Sequence, residues 1–494
     1  MGVAFRFKIL TLALLAVSGC GSDSNETSLP KPIDAKISFT DVSHHLPNHD
    51  RLGDYGVLWG HFTNAQTPEL IFMNHAKFPQ LLKSNSQGKY EDHIANSGLR
   101  QSDWIYPSQN DRHGAVCGDF NNDGFIDLFI THGANKGDTI GLKYDELLQG
   151  NGDFSFIDVS ERSVINPKGR GRTASWIDLN NDGLLDLYIA NYDTINEVQI
   201  NIGNGTFIPS DDYPELEQIG ARVSWQDVNL DGIPDVATGL PFNLLLGQGE
   251  GRYSQHQLID LVPESAQGYS VNWADVTNNG YPDLLISSLA GAVYLYINEG
   301  GGFSLASQSH GWTNGVKTNV MGTAFADLDN DGLVDIVINK ADDIYLFKNA
   351  GQGRFNQIES TLGPYINTDT NGDASLADFN GDGLLDFATD RLDGHILWKN
   401  TTETDNAWVS LSLEGAASNR MGFGARVELY RKDGQLLSSQ QYYGSQGGFR
   451  SRGCSPLHFG LQSYTDVVAH VHWPSGVVTQ HAEIKLNQLN TLKE

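Results

Sequence analysis

Short apolar runs alternate with acidic, glycine-bearing turns along most of the chain. Runs such as Asp127-Leu-Phe-Ile130, Asp335-Ile-Val-Ile338 and Ile344-Tyr-Leu-Phe347 are rich in β-branched and aromatic residues and bounded by turn residues, which predicts strands. One unit recurs. An apolar strand, Ala174-Ser-Trp176-Ile-Asp178 in one copy, leads into an acidic loop, and a second strand leaves it. A third strand ends in a glycine-rich turn, and a fourth opens on an aromatic residue, as at Phe355.

The acidic loop is a nonapeptide with oxygen-bearing side chains at positions 1, 3, 5 and 9 and glycine at position 6. Six copies carry it: Asp119, Asn121, Asp123 and Asp127; Asp178, Asn180, Asp182 and Asp186; Asp227, Asn229, Asp231 and Asp235; Asp275, Thr277, Asn279 and Asp283; Asp327, Asp329, Asp331 and Asp335; Asp378, Asn380, Asp382 and Asp386. Such oxygens, joined by the main-chain carbonyls of the seventh residues Phe125, Leu184, Ile233, Tyr281, Leu333 and Leu384, converge on a hard cation where the backbone turns sharply, which the glycine permits. An EF-hand needs an acid at position 12, where Ile130, Ile189 and Ile338 stand, so the expectation is a strand-loop-strand calcium site, about six ions in all. The fourth loop has two carboxylates and is expected to bind most weakly, whereas the fifth has four. The alternative is that the loops are Asx turns that only connect strands.

These copies resemble the calcium-binding blades of FG-GAP and VCBS repeat proteins, the integrin alpha propeller among them, which implies an all-β, seven-bladed β-propeller. Successive first aspartates are 59, 49, 48, 52 and 51 residues apart, near the repeat length of propeller blades. The seventh copy is eroded: Trp59 matches the core tryptophans, but His61, Thr63 and Ala65 stand at positions 1, 3 and 5, with Gln66 in place of glycine, so no calcium is expected there. The propeller is placed at residues 37–400. Its last unit lacks a fourth strand after His395–Asn400, while Ile37-Ser-Phe39-Thr-Asp41-Val-Ser43 repeats Phe154–Ser160 almost residue for residue upstream of the first unit. Pairing of these two segments is expected to close the ring.

Charge narrows the partners. The formal net charge of −28 becomes −30 once Arg6 and Lys8 are removed with a leader, which disfavours nucleic acid and anionic headgroups. Residues 1–19 read as that leader, with an apolar run from Ile9 to Val17 too short to span a bilayer. Val17-Ser18-Gly19-Cys20 resembles a bacterial lipobox, which implies lipidation of Cys20 and, with Gly21 next, an outer-membrane destination; an ordinary secretory leader is the alternative. Residues 20–36 read as a flexible tether.

After Asn400 the pattern changes, and residues 405–494 form a separate small β-rich domain. Ser418-Asn-Arg420-Met-Gly422-Phe-Gly424-Ala-Arg426, His458-Phe-Gly-Leu461 and Trp473-Pro-Ser-Gly476 resemble the ASPIC and UnbV domain, and the whole layout is similar to cartilage acidic protein and its bacterial relatives. Gly447-Gly-Phe449-Arg-Ser-Arg452 departs from the Ser-Gln pair usual in that family, and the family transfers no catalytic residue.

Two cysteines remain in the mature domains. Cys117 stands where other copies place Trp176, Trp225, Trp273, Phe325 and Leu376, so it reads as an unbridged core residue, although a bridge to Cys454 is possible in an oxidising compartment. His470 and His472 share a strand face without an identifiable third zinc ligand, and His44, His45 and His49 cluster without a dictated chemistry. Arg420 and Arg426 suit either a carboxylated ligand or Glu414 and Glu428. The reading is a monomeric, lipid-anchored calcium-binding scaffold for binding or adhesion to a protein or glycan ligand. The alternatives are a carbohydrate lyase or hydrolase, or a lectin binding sugars through aromatics such as Tyr192, Trp312 or Tyr365.

Overall fold

The computed structural model describes residues 36–494 apart from 48–53, 64, 66, 75–78, 100–111, 134–144, 163–170, 192–193, 218–219, 221, 240–241, 257–267, 289–291, 301, 307–319, 341–343, 359–373, 390–393 and 445–451. The leader, Cys20 and tether residues 20–35 lie outside the described residues, as do His49, Gln66, Tyr192, Trp312 and Tyr365. Among the described residues no helix is long and apolar enough to cross a membrane.

Between Phe39 and Asn400 the described strands form seven four-stranded antiparallel sheets. Six are sequential meanders, the first running Asp54–Gly60, Glu69–Asn74, Gln80–Ser84 and Tyr90–Asp92. The inner strands are buried on both faces, Arg112–Gly118 along its whole length, and in six of the seven sheets they lead into the acidic loop. Trp176 pairs with Leu187 and Ile177 with Asp186, so the loop is the hairpin between them.

Neighbouring sheets share buried apolar seams, and these seams follow the ring all the way round. Phe120 and Trp176 join the second and third sheets, Tyr188 and Trp225 the third and fourth, and Leu285 and Phe325 the fifth and sixth. Trp59 joins the first to the last: its ring stacks on Phe379 with centroids 6.4 Å apart, and its indole N–H donates to the Ser375 carbonyl at 3.4 Å. The fold is a β-propeller, as the repeat pattern implies.

The last sheet is completed from the far end of the chain. Phe39–Asp41 pairs antiparallel with Ile396–Asn400, Phe39 opposite Asn400 and Asp41 opposite Trp398. The sequence echo carries its contacts with it. The Ser43 hydroxyl donates to Asp41 at 2.6 Å and accepts from Leu397 N at 3.1 Å, as the Ser160 hydroxyl does with Asp158 at 2.6 Å and Leu147 N at 2.9 Å. The expected closure is therefore present.

The C-terminal residues build two further sheets. Ala407–Glu414 lies between Leu457–Gln462, antiparallel, and Leu489–Lys493, parallel, while Leu436–Gln441, Arg426–Arg431, Val467–His472 and Val478–His481 form the other. Ile33–Glu494 is one compact unit, and Val409, Phe459 and Trp473 share a hydrophobic cluster with Phe120 and Phe129 of the ring.

Cys117 and Cys454 form a disulfide with Cα atoms 5.9 Å apart, which corrects the unbridged reading of Cys117. The cause is tertiary. The segment at Arg452–Cys454 lies along two inner strands, with Arg452 N donating to the Ala115 carbonyl at 3.0 Å and Cys454 N to the Trp59 carbonyl at 2.9 Å. Cys117 is buried all the same, so its place in the core stands.

Candidate functional site

In the first loop, backbone N–H groups hold the end carboxylates in place. Asp119 accepts from Asp123 N at 3.0 Å and Gly124 N at 2.8 Å, while Asp127 accepts from Phe120 N at 3.0 Å and Gly150 N at 2.8 Å. The turn needs two left-handed residues, Asn122 at φ 57° and Gly124 at φ 89°. All six loops repeat the bonds from the fifth and sixth N–H groups to the first aspartate.

Electrostatics turns these loops into more than connections. Burial pushes Asp119 up to about 6 and Asp127 up to about 8, the Asp123 and Asp119 charges adding to the rise against the restraining N–H bonds. Asp186 is raised to about 7 and Asp235 to about 8 for the same main reason, while Asp283 and Asp386 stand well above the carboxylate range. Buried, mutually repelling carboxylates are what a hard divalent cation relieves, and the donors are all oxygen, so the residues fit calcium.

The loops differ in what surrounds them. In the fourth, Thr277 Oγ1 donates to Asp275 at 3.4 Å and Asn279 spends its amide on the Asn298 carbonyl at 2.8 Å. In the fifth, oxygens of Asp327, Asp329 and Asp335 come within 4.8 Å of one another, as a shared ion requires. Asp329 is fully buried. In the eroded copy Glu69 takes the ninth position: it accepts from Phe62 N at 2.9 Å, and the Thr63 hydroxyl occupies its other oxygen at 2.5 Å. That loop closes on itself.

Two sets of asparagines, unremarked in the sequence pattern, tie the loops together. The fourth-position amides reach the glycine carbonyl of the next loop: Asn122 to Gly183 at 3.1 Å, Asn278 to Gly332 at 3.0 Å and Asn330 to Gly383 at 2.9 Å. Asn201, Asn298, Asn349 and Asn400, at the ends of third strands, reach back to Phe120, Val228, Val276 and Leu328. Their identical place, just before a glycine turn in most copies, is the signal that could have found them.

The C-terminal domain covers this loop-bearing face. Arg420 N donates to Asn122 Oδ1 at 2.9 Å, Gln441 exchanges two bonds with the Asp227 backbone at 2.9 and 2.7 Å, His458 Nε2 lies 2.8 Å from Asn330 Oδ1, and Asn406 donates to the Asp329 carbonyl at 2.9 Å. Between the domain and the ring lies a cavity of about 100 Å³ lined by Trp273, Asp275, Asp327, Gln441, Ser455 and His458. It is smaller than the roughly 150 Å³ that accepts benzene, so it suits water rather than a sugar ring. A wider cleft of about 460 Å³ opens beside the first loop, lined by His61, Thr63, Asp119, Ser412, Arg420 and Thr491, within the size range of small-ligand sites.

The remaining candidates are settled by their neighbours. Arg420 pairs with Glu414 at 3.1 Å and Arg426 with Glu428, the within-domain alternative for both. His472 is 2.9 Å from the same Glu428, which also accepts from Tyr430 at 3.0 Å, and His470 lies beside the Tyr430 ring. The two histidines do not converge on a third ligand among the described residues. His44 and His45 lie in a short 3-10 turn, ring against ring. On the ring's other side, Arg112 donates twice to Glu146 at 2.6 Å, with His132 Nε2 at 3.2 Å from it; burial alone would raise Glu146, but Arg112 and His132 hold it below the carboxylate range. This buried cluster has no repeat to announce it in the sequence.

Residues 119–189, 178–238, 275–338 and 327–389 match the FG-GAP-like repeat family, and residues 415–494 match the ASPIC and UnbV family. The chain is 21% identical over 504 residues to cartilage acidic protein 1 of Xenopus tropicalis, covering 92% of this chain and 73% of that protein. It is 31% identical over 156 residues to integrin alpha-7 of Mus musculus, 26% of this chain and 13% of the integrin. Among solved structures, an Agrocybe aegerita lectin that recognises non-reducing terminal N-acetylglucosamine aligns at TM-score 0.42 and 19% identity, over 69% of this chain and 86% of the lectin. PorZ of Porphyromonas gingivalis, a surface component of the type-IX secretion system, aligns at TM-score 0.41 and 12% identity, over 90% of this chain and 59% of PorZ.

Proposed function

For a chain built of FG-GAP-like repeats followed by a C-terminal ASPIC and UnbV domain, we propose the role of a calcium-stabilised, seven-bladed binding scaffold, held outside the cytoplasm by a lipid on Cys20. The observation that carries this reading is the rim of six loops, each with its end carboxylates oriented by backbone N–H groups and buried enough to need a cation. Calcium supplies the missing positive charge when bound. The chain's own part is to present Asp119, Asp178, Asp227, Asp275, Asp327 and Asp378 with their loop partners, and to pass the order of one loop to the next through Asn122, Asn278 and Asn330.

The ligand is a protein or glycan, and the cleft between the first loop and Arg420 is where it seats: charged and hydroxyl side chains line it. Extracellular sites of this loop type bind calcium at about 0.1–1 mM, so each adds roughly 1.4 kcal/mol at tenfold excess. Chelation therefore lowers the melting temperature, and magnesium, which demands a tighter octahedron, restores it poorly. A melting curve unmoved by excess chelator would reduce the loops to turns. Glycan arrays and turnover assays on polysaccharides, each with and without calcium, separate scaffold, lectin and enzyme. Cys20→Ser should release the protein from membranes, and its retention there in high salt would refute the anchor.

A further inference from the structure

The fifth loop is unlike the other five in two matched ways. Position 3 is Asn121, Asn180, Asn229, Thr277 or Asn380 elsewhere but Asp329 here, which makes four carboxylates. The loop is also sealed: Asp329, Asn330 and Asp331 are buried beneath Asn406 and Leu457–Gln462, with Gln462 N donating to the Asn330 carbonyl at 3.0 Å. In the other loops, position 5 faces solvent. Four buried carboxylates without a counter-charge would carry a large desolvation cost.

Lys348 answers it. The residue preceding the one whose N–H binds the ninth-position aspartate is Gln149 at the first loop, Lys348 at the fifth and Lys399 at the sixth. Each reaches the fifth-position carboxylate: Gln149 to Asp123 Oδ2, Lys348 to Asp331 Oδ2 and Lys399 to Asp382 Oδ2, all at 3.1 Å. Lys348 alone goes further and also bonds Asp329 Oδ2, its side chain only 13% exposed. The extra acid and the extra cation thus occur together in one loop.

We propose that Lys348 is a resident cation of the fifth loop, a covalently tethered ammonium that keeps this loop folded and the C-terminal domain seated on it without a divalent ion. Asp329 still brings an oxygen within 4.8 Å of oxygens of Asp327 and Asp335, so the loop still accepts calcium, but against the charge of a neighbouring ammonium. The four-carboxylate loop is then not the tightest calcium site. This rests on the calcium reading for the last step only; the role of the lysine in metal-free protein does not.

The experiment compares wild type with Lys348→Gln, Lys399→Gln and the double variant Asp329→Asn/Lys348→Gln, which gives the fifth loop the donor pattern of the first. Full-length chains are melted in chelator and in calcium. In chelator, Lys348→Gln melts several degrees below wild type, Lys399→Gln changes little, and the double variant recovers most of the loss. In calcium, Lys348→Gln returns to wild-type stability and retains bound calcium at lower free ion, about tenfold lower for one ion per chain. A Lys348→Gln variant as stable as wild type in chelator overturns the proposal, as does a double variant no better than the single. Wild type indifferent to chelator refutes the calcium reading instead, and leaves the chelator comparison of the variants intact.

Discussion

Asn400 Nδ2 donates to the Leu328 carbonyl at 2.8 Å, so the third strand of the last sheet is fastened to the loop of the sheet before it. The same amide donates to the Leu385 carbonyl at 3.2 Å, and its oxygen accepts from Thr402 N at 3.0 Å. Asn400→Ala leaves these buried backbone groups unpaired, and a loss of about 1–3 kcal/mol in urea denaturation is expected. Glu403→Ala, at an exposed position a few residues on in the linker, serves as the control; equal effects would count against the stitch.

Ring closure depends on a segment with no other sheet to join. Deleting residues 37–43 removes the Phe39–Asp41 strand and exposes the edge of Ile396–Asn400, so stability falls by several kcal/mol or the protein aggregates. Deleting 22–34 should cost nothing measurable. Equal stability of the two deletions would show that the closing strand contributes nothing.

Asp145 predicts a pH dependence separate from the calcium loops. Burial pushes its carboxyl up to about 8, Glu197 and Glu146 adding to the rise, although it accepts from His132 N at 2.6 Å. With its folded pKa above the unfolded value, the folded state binds the extra proton, so this contribution is full below about pH 4 and is lost as pH rises through 8. Asp145→Asn should flatten the decline in stability between pH 5 and 8. A variant that keeps the wild-type slope would assign that decline elsewhere.

The Cys117–Cys454 bridge closes a loop of 337 residues between the ring and the domain above it. Cys454→Ser should cost about 2–5 kcal/mol and make the C-terminal segment more open to protease, with the same shift when wild type is reduced. Unchanged denaturation under reducing conditions would sink this expectation.

The parts of this molecule that could be read from the chain are those whose contacts are local or repeated. The bonds that shape the turn of each loop from within span at most seven positions, as in the first copy, and six copies average out local noise. Even the closing strand was legible, because Ile37–Ser43 copies Phe154–Ser160 and a copied segment makes the copied contacts. The disulfide was not, since it exists only through docking of the C-terminal domain. Lys348 was missed because its strand position varies between copies, Gln149 in the first and Lys399 in the sixth, so nothing in the pattern marks it as part of a loop 19 residues earlier. Among the described residues the Arg112–Glu146 cluster occurs once, and a single constellation leaves no period to detect.

The antiparallel register of the closing pair has a mechanical side. Phe39 lies opposite Asn400, so Ser38 and Thr401 leave the sheet at the same end, where Thr401 N donates to the Ser38 carbonyl at 2.8 Å. Tension applied between these two exits loads the rungs one at a time, as a zipper opens, rather than all together in shear. The seam is therefore weak to a pull from the tether, while the Cys117–Cys454 crosslink carries load from the domain straight into the second sheet. In a single-molecule pull on both chain ends, a small low-force extension from the seam should precede any rupture of the ring.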